Sequence, residues 1–245
     1  MLWKLYQKSA LWFALFWIIL YVVGMSAADE ASLALGCAKS ITLPFSLALC
    51  LLAVIWMRRH GLYKHFGLCG TPVPARRYLW YLPLALLASV NIWFGMQLSQ
   101  PLPEALLYVG SMLCVGFLEE VIFRGFLFRA MEKSSLRAAI IVSSVTFGIG
   151  HIINLLSGAE LLSTLCQIVS AAAFGFLFVV IFYRGQSLWP CILTHSAING
   201  LSVFYNEAAA TPTQTIFVSL FLCAGAIVYT LLLHRLLPKA PTANE

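Results

Sequence analysis

Residues 116–131 read GFLEEVIFRGFLFRAM, an apolar stretch that carries Glu119, Glu120 and Arg124 near its centre. An ionisable side chain at the centre of a bilayer costs at least about 2.5–3.5 kcal/mol on insertion scales. Three such groups on little more than one helical turn therefore require a partner, a water-filled cavity, or both.

The spacing of these residues separates the two carboxylates. Glu120 and Arg124 are four residues apart, so on a helix they share a face and can pair. Glu119 is rotated from Glu120 by about 100° around the helix axis, and this leaves it without an obvious partner in its own helix. We therefore expect one carboxylate to be structural and the other to be available for chemistry.

The composition is that of an integral membrane protein. Of the 245 residues, 61% are hydrophobic and 10% are charged, and the mean hydropathy is +0.90. Soluble domains contain roughly 25% charged residues, so a soluble domain is excluded. The net charge of +6 is explained by Lys and Arg residues in short loops on the cytoplasmic side of the membrane. No nucleic-acid partner is therefore expected.

Apolar segments divided by short polar loops predict an all-α bundle of about eight transmembrane helices. Each segment is close to the roughly 17–25 residues that cross a bilayer. No internal repeat or low-complexity run interrupts them, so residues 1–245 are expected to form a single integral membrane domain. The approximate bounds of the segments are 3–23, 41–57, 79–98, 105–131, 136–156, 161–183, 187–205 and 215–236.

The first segment has an alternative interpretation as a cleaved signal peptide. Ser26, Ala27 and Ala28 follow it and resemble a signal-peptidase site. The apolar run of about 20 residues is longer than the roughly 7–15 residues of a signal-peptide core. An uncleaved first helix is therefore the favoured interpretation.

The distribution of Lys and Arg predicts the orientation. With the N-terminus in the cytoplasm, the inside segments hold 13 of these residues and the outside segments only Lys39, while Arg124 lies within a span. Lys and Arg concentrate in the loops that stay in the cytoplasm. Both termini are therefore expected to be cytoplasmic.

Two further segments carry polar groups at a similar depth. His151 lies in the fifth segment, and His195 and Asn199 share a helix face in the seventh. Counted from the nearest cytoplasmic Arg at ~1.5 Å per residue, Glu119, His151 and His195 lie at depths of ~15, ~21 and ~17 Å. Half of the hydrocarbon core is about 15 Å thick. Considered singly, each of these polar residues can be explained by helix packing or ion pairing. Because all three lie at nearly the same depth in the membrane, we predict that they form one shared site.

These groups suit water activation and carbonyl polarisation. A desolvated glutamate works as a general base, and His151 is the natural residue to hold the water with Glu119. His195 and Asn199 can donate hydrogen bonds to an oxyanion. No serine or cysteine in the spans has a base at an evident spacing, so a covalent nucleophile is less attractive.

Metal chemistry is an alternative that the sequence indicates only weakly. Glu and His are zinc ligands, and ligands spread over helices do build metal sites in bundles. The HExxH pattern is absent, however, and the two histidines lie on different segments. The seven cysteines show no CxxC pattern and are interpreted as small buried hydrophobic residues.

Three motifs in the chain resemble those of the CPBP family. This family consists of intramembrane glutamic endopeptidases, and its name joins CAAX prenyl proteases with bacteriocin-processing and immunity proteins. The resemblance runs from the fourth span to the seventh, so it implies a catalytic core at about residues 105–206. The motifs are Glu119-Glu120-x3-Arg124, Phe147-x3-His151 and His195-x3-Asn199.

The resemblance implies a role for each motif residue. Glu119 would be the glutamate that activates water, assisted by His151. His195 and Asn199 would form the oxyanion site.

The remaining two motif residues, Glu120 and Arg124, would support the site, with Glu120 sharing the catalytic work. No metal or other cofactor is needed for this chemistry. The implied substrate is a membrane-associated peptide or protein, either a bacterial precursor peptide or a CAAX-type C-terminal tail. The implied location is the bacterial cytoplasmic membrane, and the lipid bilayer is the other partner.

Two other functions use the same polar cluster. A non-enzymatic membrane protein of the bacteriocin-immunity type would bind and sequester a peptide. A proton-coupled transporter would also bury Glu, His and Arg, but it would more often show two related halves with interrupted spans. The sequence shows no such internal symmetry, so the transporter ranks last.

Overall fold

The computed structural model describes residues 1–70, 79, 81–93, 95–156, 158–206 and 211–237. Helices form most of this part of the chain, and its only strand-like feature is an isolated antiparallel bridge between Met96 and Tyr205. The predicted all-α class is therefore confirmed. The α-helices are α1 (Leu2–Lys8), α2 (Ala10–Ala34), α3 (Thr42–Arg59), α4 (Leu82–Ala88), α5 (Leu102–Glu119), α6 (Arg129–Glu132), α7 (Leu136–Gly150), α8 (Leu161–Gly185), α9 (Trp189–Leu201) and α10 (Pro212–Leu236).

Among the described residues, six helices are long and apolar enough to cross a membrane. The chain is therefore a multi-pass membrane protein, as its composition predicts. The six candidate spans are Ala10–Ala34, Thr42–Arg59, Leu102–Glu132, Leu136–Leu155, Leu161–Gly185 and Pro212–Leu236.

The third and seventh predicted spans correspond to shorter helices. Helix α4 has 7 residues and α9 has 13, while residues 80 and 94 of the third predicted span lie outside the described residues. At about 1.5 Å per residue, α9 is ~20 Å long and falls short of a ~30 Å hydrocarbon core. It packs against α4, α5 and α8, and polar helix ends are tolerated at membrane depth where protein covers them. The count of eight spans and the orientation of the termini therefore stay predictions.

The first predicted span is divided at Ser9. The backbone of Ser9 is extended, and its hydroxyl accepts a hydrogen bond from Trp12 N at 3.2 Å, which caps α2. Helix α2 then continues to Ala34, well past the predicted end of the span. At about 1.5 Å per residue, its 25 residues are long enough to cross a hydrocarbon core. Tyr21 near its middle contacts Glu119 of the motif segment.

Small residues set the distances between the helices that carry the motifs. A Cβ atom on Gly116 of α5 would lie 2.6 Å from the backbone N of Ser196 on α9, so only glycine permits this approach. A Cβ atom on Gly148 of α7 would lie 2.7 Å from Ile168 O on α8. The two close approaches fix α9 against α5 and α7 against α8.

An aromatic cluster joins α2 and α3 to the motif segment. Phe126 packs against Phe13, Trp17 and Phe66, with ring centroids 5.0, 5.6 and 4.9 Å apart. The loop that carries Phe66 is held in place by Leu188 N, which donates to Gly67 O at 2.8 Å. The packing orients one face of α2 towards the polar centre of the molecule.

Candidate active site

The motif segment changes its helix type at the glutamate pair. Helix α5 ends at Glu119, and a π-helix runs from Glu120 to Phe128 before α6 begins. A π-helix is wider than an α-helix because its hydrogen bonds run from i to i+5, and it occurs most often at functional sites. All nine of its residues are buried.

Glu120 and Arg124 form the ion pair that their spacing predicts. Arg124 Nη1 donates to Glu120 Oε1 at 3.0 Å, and both side chains are completely inaccessible to solvent. The guanidinium also lies on aromatic faces, 4.2 Å from the ring centroid of Phe147 and 5.6 Å from that of Phe178. A desolvated cation over aromatic rings gains about 2 kcal/mol or more. The pairing and the rings together offset the loss of hydration of Arg124.

His195 of α9 contacts both carboxylates. Its Nδ1 lies 2.8 Å from Glu120 Oε1, and its Nε2 lies 3.4 Å from Glu119 Oε2. Two carboxylates and one guanidinium leave one negative charge in the cluster, and a proton on His195 would make it neutral. The imidazole therefore links the buried ion pair to the second glutamate.

Glu119 has a different environment on each of its oxygens. Oε1 accepts a hydrogen bond from the hydroxyl of Tyr21 at 2.6 Å. Oε2 receives no hydrogen bond from any residue that the structure describes. At 3.4 Å the His195 contact is an ion-pair distance and longer than an ordinary hydrogen bond. The side chain is 12% exposed, whereas its Oε2 atom is buried.

Tyr21 is a site residue that the sequence does not reveal. It lies midway along α2, in the apolar part of that helix and 98 positions from Glu119. A buried tyrosine hydroxyl usually has a hydrogen-bond partner, which is the only signal available. Nothing in the sequence identifies Glu119 as that partner.

His151 lies beside the cluster. It starts a short 3-10 segment at the end of α7 and is half-buried. Its ring packs on Phe147 at 5.6 Å between centroids, and Phe147 also packs on His195 at 5.5 Å. One aromatic ring thus lies against both imidazoles.

Asn199 is on α9 one turn after His195, and its side chain is half-buried. Within the described part of the chain it makes no side-chain hydrogen bond, although its carbonyl accepts one from Ser202 Oγ at 2.6 Å. The structure thus joins Glu119, Glu120, Arg124 and His195 directly. His151 lies next to this cluster, and the Asn199 side chain is not hydrogen-bonded to it.

The described residues contain no group of three or more His, Cys, Asp or Glu side chains arranged to hold a metal ion. The chemistry of the donors accounts for this. Glu120 Oε1 already accepts from Arg124 and His195, so two of the candidate ligands are engaged with one another. The arrangement fits proton transfer and hydrogen bonding by the side chains themselves.

Comparison with known proteins gives a family for the segment that holds the three motifs. Residues 101–201 match the family model described as "Type II CAAX prenyl endopeptidase Rce1-like". No curated protein and no solved structure matches the chain. The matched residues include all six site residues predicted from the sequence, whereas Tyr21 lies outside them. The match over residues 101–201 supports the resemblance of the three motifs to the CPBP family, a family of membrane proteases.

Proposed function

We propose that the chain is an intramembrane endopeptidase that hydrolyses a peptide bond with water activated by Glu119. The observation that supports this most is the difference between two adjacent carboxylates. Glu120 is completely buried, forms an ion pair with Arg124 and lies 2.8 Å from His195 Nδ1. Glu119 is partly exposed and has Oε2 directed to His195 across 3.4 Å. A fully buried carboxylate paired with a guanidinium suits a structural role. A carboxylate with no Arg or Lys partner, lying in a largely desolvated position, suits a general base.

In the proposed reaction, Glu119 Oε2 takes a proton from water while the water oxygen forms a bond to the carbonyl carbon of the substrate. The resulting oxyanion accepts hydrogen bonds. When the intermediate collapses, the C–N bond breaks and Glu119 returns the proton to the leaving amine. One water is consumed, and one carboxyl and one amino terminus are produced.

His195 is proposed to donate to the oxyanion, together with Asn199. An imidazolium at His195 has one N–H for Glu120 and one at Nε2, on the side of Glu119. A substrate oxygen that enters beside Nε2 would accept this N–H in place of the long contact to Glu119. Donors held in place before charge develops stabilise the transition state most effectively. Asn199, one turn further along α9, has an uncommitted amide for the same purpose.

His151 is proposed to hold the attacking water with Glu119. Its half-buried ring packs on Phe147, which also packs on His195 of the cluster. Glu120 and Arg124 would then act by keeping His195 and the π-helix in position. These assignments follow the family motifs, which all lie in the matched segment.

The reaction is proposed to be metal-independent. Glu120 and His195 bind one another, and Glu120 also binds Arg124, so two of the four Glu and His side chains are already engaged. Dialysis against a strong chelator should therefore leave the rate of cleavage unchanged. A lasting loss of activity that Zn²⁺ restores would show a metalloprotease instead.

The eight-span arrangement with both termini in the cytoplasm forms part of the proposal. The six long spans account for most of it, and the short helices α4 and α9 correspond to the other two. We place the chain in a bacterial cytoplasmic membrane as one domain with its catalytic core at about residues 105–206. A fluorescent protein fused to the C-terminus should fluoresce, and alkaline phosphatase inserted after Lys39 should be active. The opposite pattern would reverse the topology.

The proposed substrate is a membrane-associated peptide or protein, either a precursor peptide or a CAAX-type tail. The test uses the purified chain in liposomes with fluorogenic peptides of three kinds: a membrane-anchored precursor-like peptide, a CAAX peptide, and the same CAAX peptide with a farnesyl group. Cleavage of at least one by the wild type, and of none by Glu119→Gln, is expected. Glu104→Gln, at the start of the same helix, is the matched control and should cleave normally. Binding without cleavage by the wild type would favour the immunity-type function.

A further inference from the structure

Tyr21 lies closer to the proposed base than His195 does, and it comes from a helix outside the family-matched segment. Its hydroxyl lies 2.6 Å from Glu119 Oε1, within the usual range of an O–H donor to a carboxylate. The tyrosine is 8% exposed. A hydrogen bond of this length to a charged acceptor is among the stronger ones that proteins form.

The position of Tyr21 is fixed independently of Glu119. Phe13, Trp17 and Tyr21 follow one another at i, i+4 and i+8, so they lie on one face of α2. The first two residues pack on Phe126 of the π-helix with centroids 5.0 and 5.6 Å away. Aromatic packing thus brings the tyrosine to the level of Glu119, and the hydroxyl is not needed to hold α2 in place.

We infer that Tyr21 is a positioning residue for Glu119, an inference that depends on the proposed function. The phenol occupies Oε1 and thereby fixes the rotation of the carboxylate. Oε2 is then the oxygen that faces His195 Nε2. Without the phenol, either oxygen can turn towards the histidine, and the fraction of molecules with the base correctly aimed falls.

This assignment extends the site to a fourth helix. The matched segment supplies Glu119 on α5, His151 at the end of α7 and His195 on α9, and α2 supplies the residue that orients the base. The complete site therefore requires the N-terminal part of the chain. It also predicts that a change at Tyr21 affects the chemical step more than the affinity for the substrate.

The test is the Tyr21→Phe variant of the full chain in liposomes, assayed with the reporter peptide that the wild type cleaves. We expect kcat to fall by about 10- to 100-fold, the size of effect typical of losing a hydrogen bond to a charged group, with KM unchanged. Tyr108→Phe is the matched control, since it removes a tyrosine hydroxyl bonded to Ser202 at 2.8 Å. It should keep the wild-type kcat.

If Tyr21 had only a structural role, Tyr21→Phe would lower the melting temperature without a selective loss of kcat at unchanged KM. Both variants are therefore melted in detergent, and rates are compared at a temperature where each is folded. Incorporation of 3-fluorotyrosine at position 21 keeps the hydroxyl and should restore most of kcat. Wild-type kcat in Tyr21→Phe, or failure of 3-fluorotyrosine to restore it, would overturn the inference.

The Glu119→Gln variant separates this inference from the proposed function. If Glu119→Gln is inactive while Tyr21→Phe keeps full activity, the role of Tyr21 is wrong and the proposed function stands. If Glu119→Gln cleaves as fast as the wild type, the proposed function fails and the role of Tyr21 fails with it. In a Glu119→Gln background, the further Tyr21→Phe change should produce no additional loss of rate.

Discussion

Nδ1 of His195 lies 2.8 Å from Oε1 of Glu120, although the two residues are 75 positions apart in the chain. The contact joins α9 to the π-helix through an imidazole whose other nitrogen is 3.4 Å from Glu119. Any movement of α9 against the motif helix therefore changes the distance from His195 to both carboxylates at once. The predictions below follow from this linkage.

Gly116→Ala should reduce activity by displacing α9. The new Cβ would clash with Ser196 Oγ and lie 2.6 Å from the Ser196 backbone N, so α9 must move away and take His195 with it. A displacement of about 1 Å can lower a rate by about 100-fold. The measurement is kcat/KM for the reporter peptide.

The control for this change is Gly200→Ala on α9. Its Cβ would lie 3.9 Å from Val109 Cγ1, an ordinary contact distance. This variant should stay close to the wild-type rate. Equal rates for Gly116→Ala and the wild type would contradict the close approach of α5 and α9.

Glu120→Gln should destabilise the fold as well as slow the reaction. It leaves Arg124 as a charge without its anionic partner in a site that is completely buried. Breaking a buried ion pair by removing one partner typically costs about 3–5 kcal/mol. The measurement is a denaturation experiment on protein purified in detergent.

The comparison for Glu120→Gln is Lys39→Gln, which breaks the more exposed pair with Asp29. Such a pair contributes roughly 0–1 kcal/mol. If the two variants lose the same stability, the buried pair has no special importance for the fold.

The two histidines should differ in what they contribute. His195→Gln removes a side chain that bonds to buried Glu120, so both the melting temperature and kcat should fall. His151→Gln changes a half-buried ring at the edge of the cluster and should lower kcat with little change in melting temperature. Melting curves and rates measured on the same preparations check this, and a His151→Gln variant with wild-type kcat would remove His151 from the mechanism.

The stability of the folded chain should fall on acidification because of His65, which lies in the loop after α3. Burial, followed by the charges of Arg129 and Lys133, lowers the pKa of His65 from 6.5 to about 4. Between these two values the unfolded chain binds the proton and the folded chain does not. The folded state is therefore favoured fully above about pH 6.5 and loses this stability as the pH falls towards 4.

The His65→Gln variant tests this pH dependence, because glutamine cannot take up the proton. Its melting temperature should change less than that of the wild type between pH 7 and pH 5. His60→Gln, which alters a histidine stacked on Trp3 at 4.0 Å, is the control and should keep the wild-type pH dependence. Identical profiles for His65→Gln and the wild type would contradict the assignment.

The sequence predicted the Glu120–Arg124 pair because the interaction is local, set by a four-residue spacing along one helix. It also predicted that a histidine from the seventh segment would lie at the depth of Glu119, since depth follows from the distance to the cytoplasmic charges. The observed 3.4 Å contact agrees with that expectation.

The remaining features depend on packing that no local pattern encodes. Helix α9 is short and packs against α4, α5 and α8, and these contacts come from distant parts of the chain. The contact between Tyr21 and Glu119 depends on how α2 docks through Phe13 and Trp17. The π-helix at Glu120–Phe128 also escapes a prediction based on apolar periodicity, because both helix types bury the same residues here.

The most direct test of the account is the rate at which Glu119→Gln cleaves the reporter peptide in liposomes, compared with wild-type protein of equal folded fraction. An amide has nearly the shape of the carboxylate but cannot accept the proton from water. Because a positioned general base contributes about 10²- to 10⁴-fold, the variant should lose at least roughly 100-fold in kcat while it melts near the wild-type temperature. A folded variant that cleaves at the wild-type rate would contradict the claim that Glu119 activates the water.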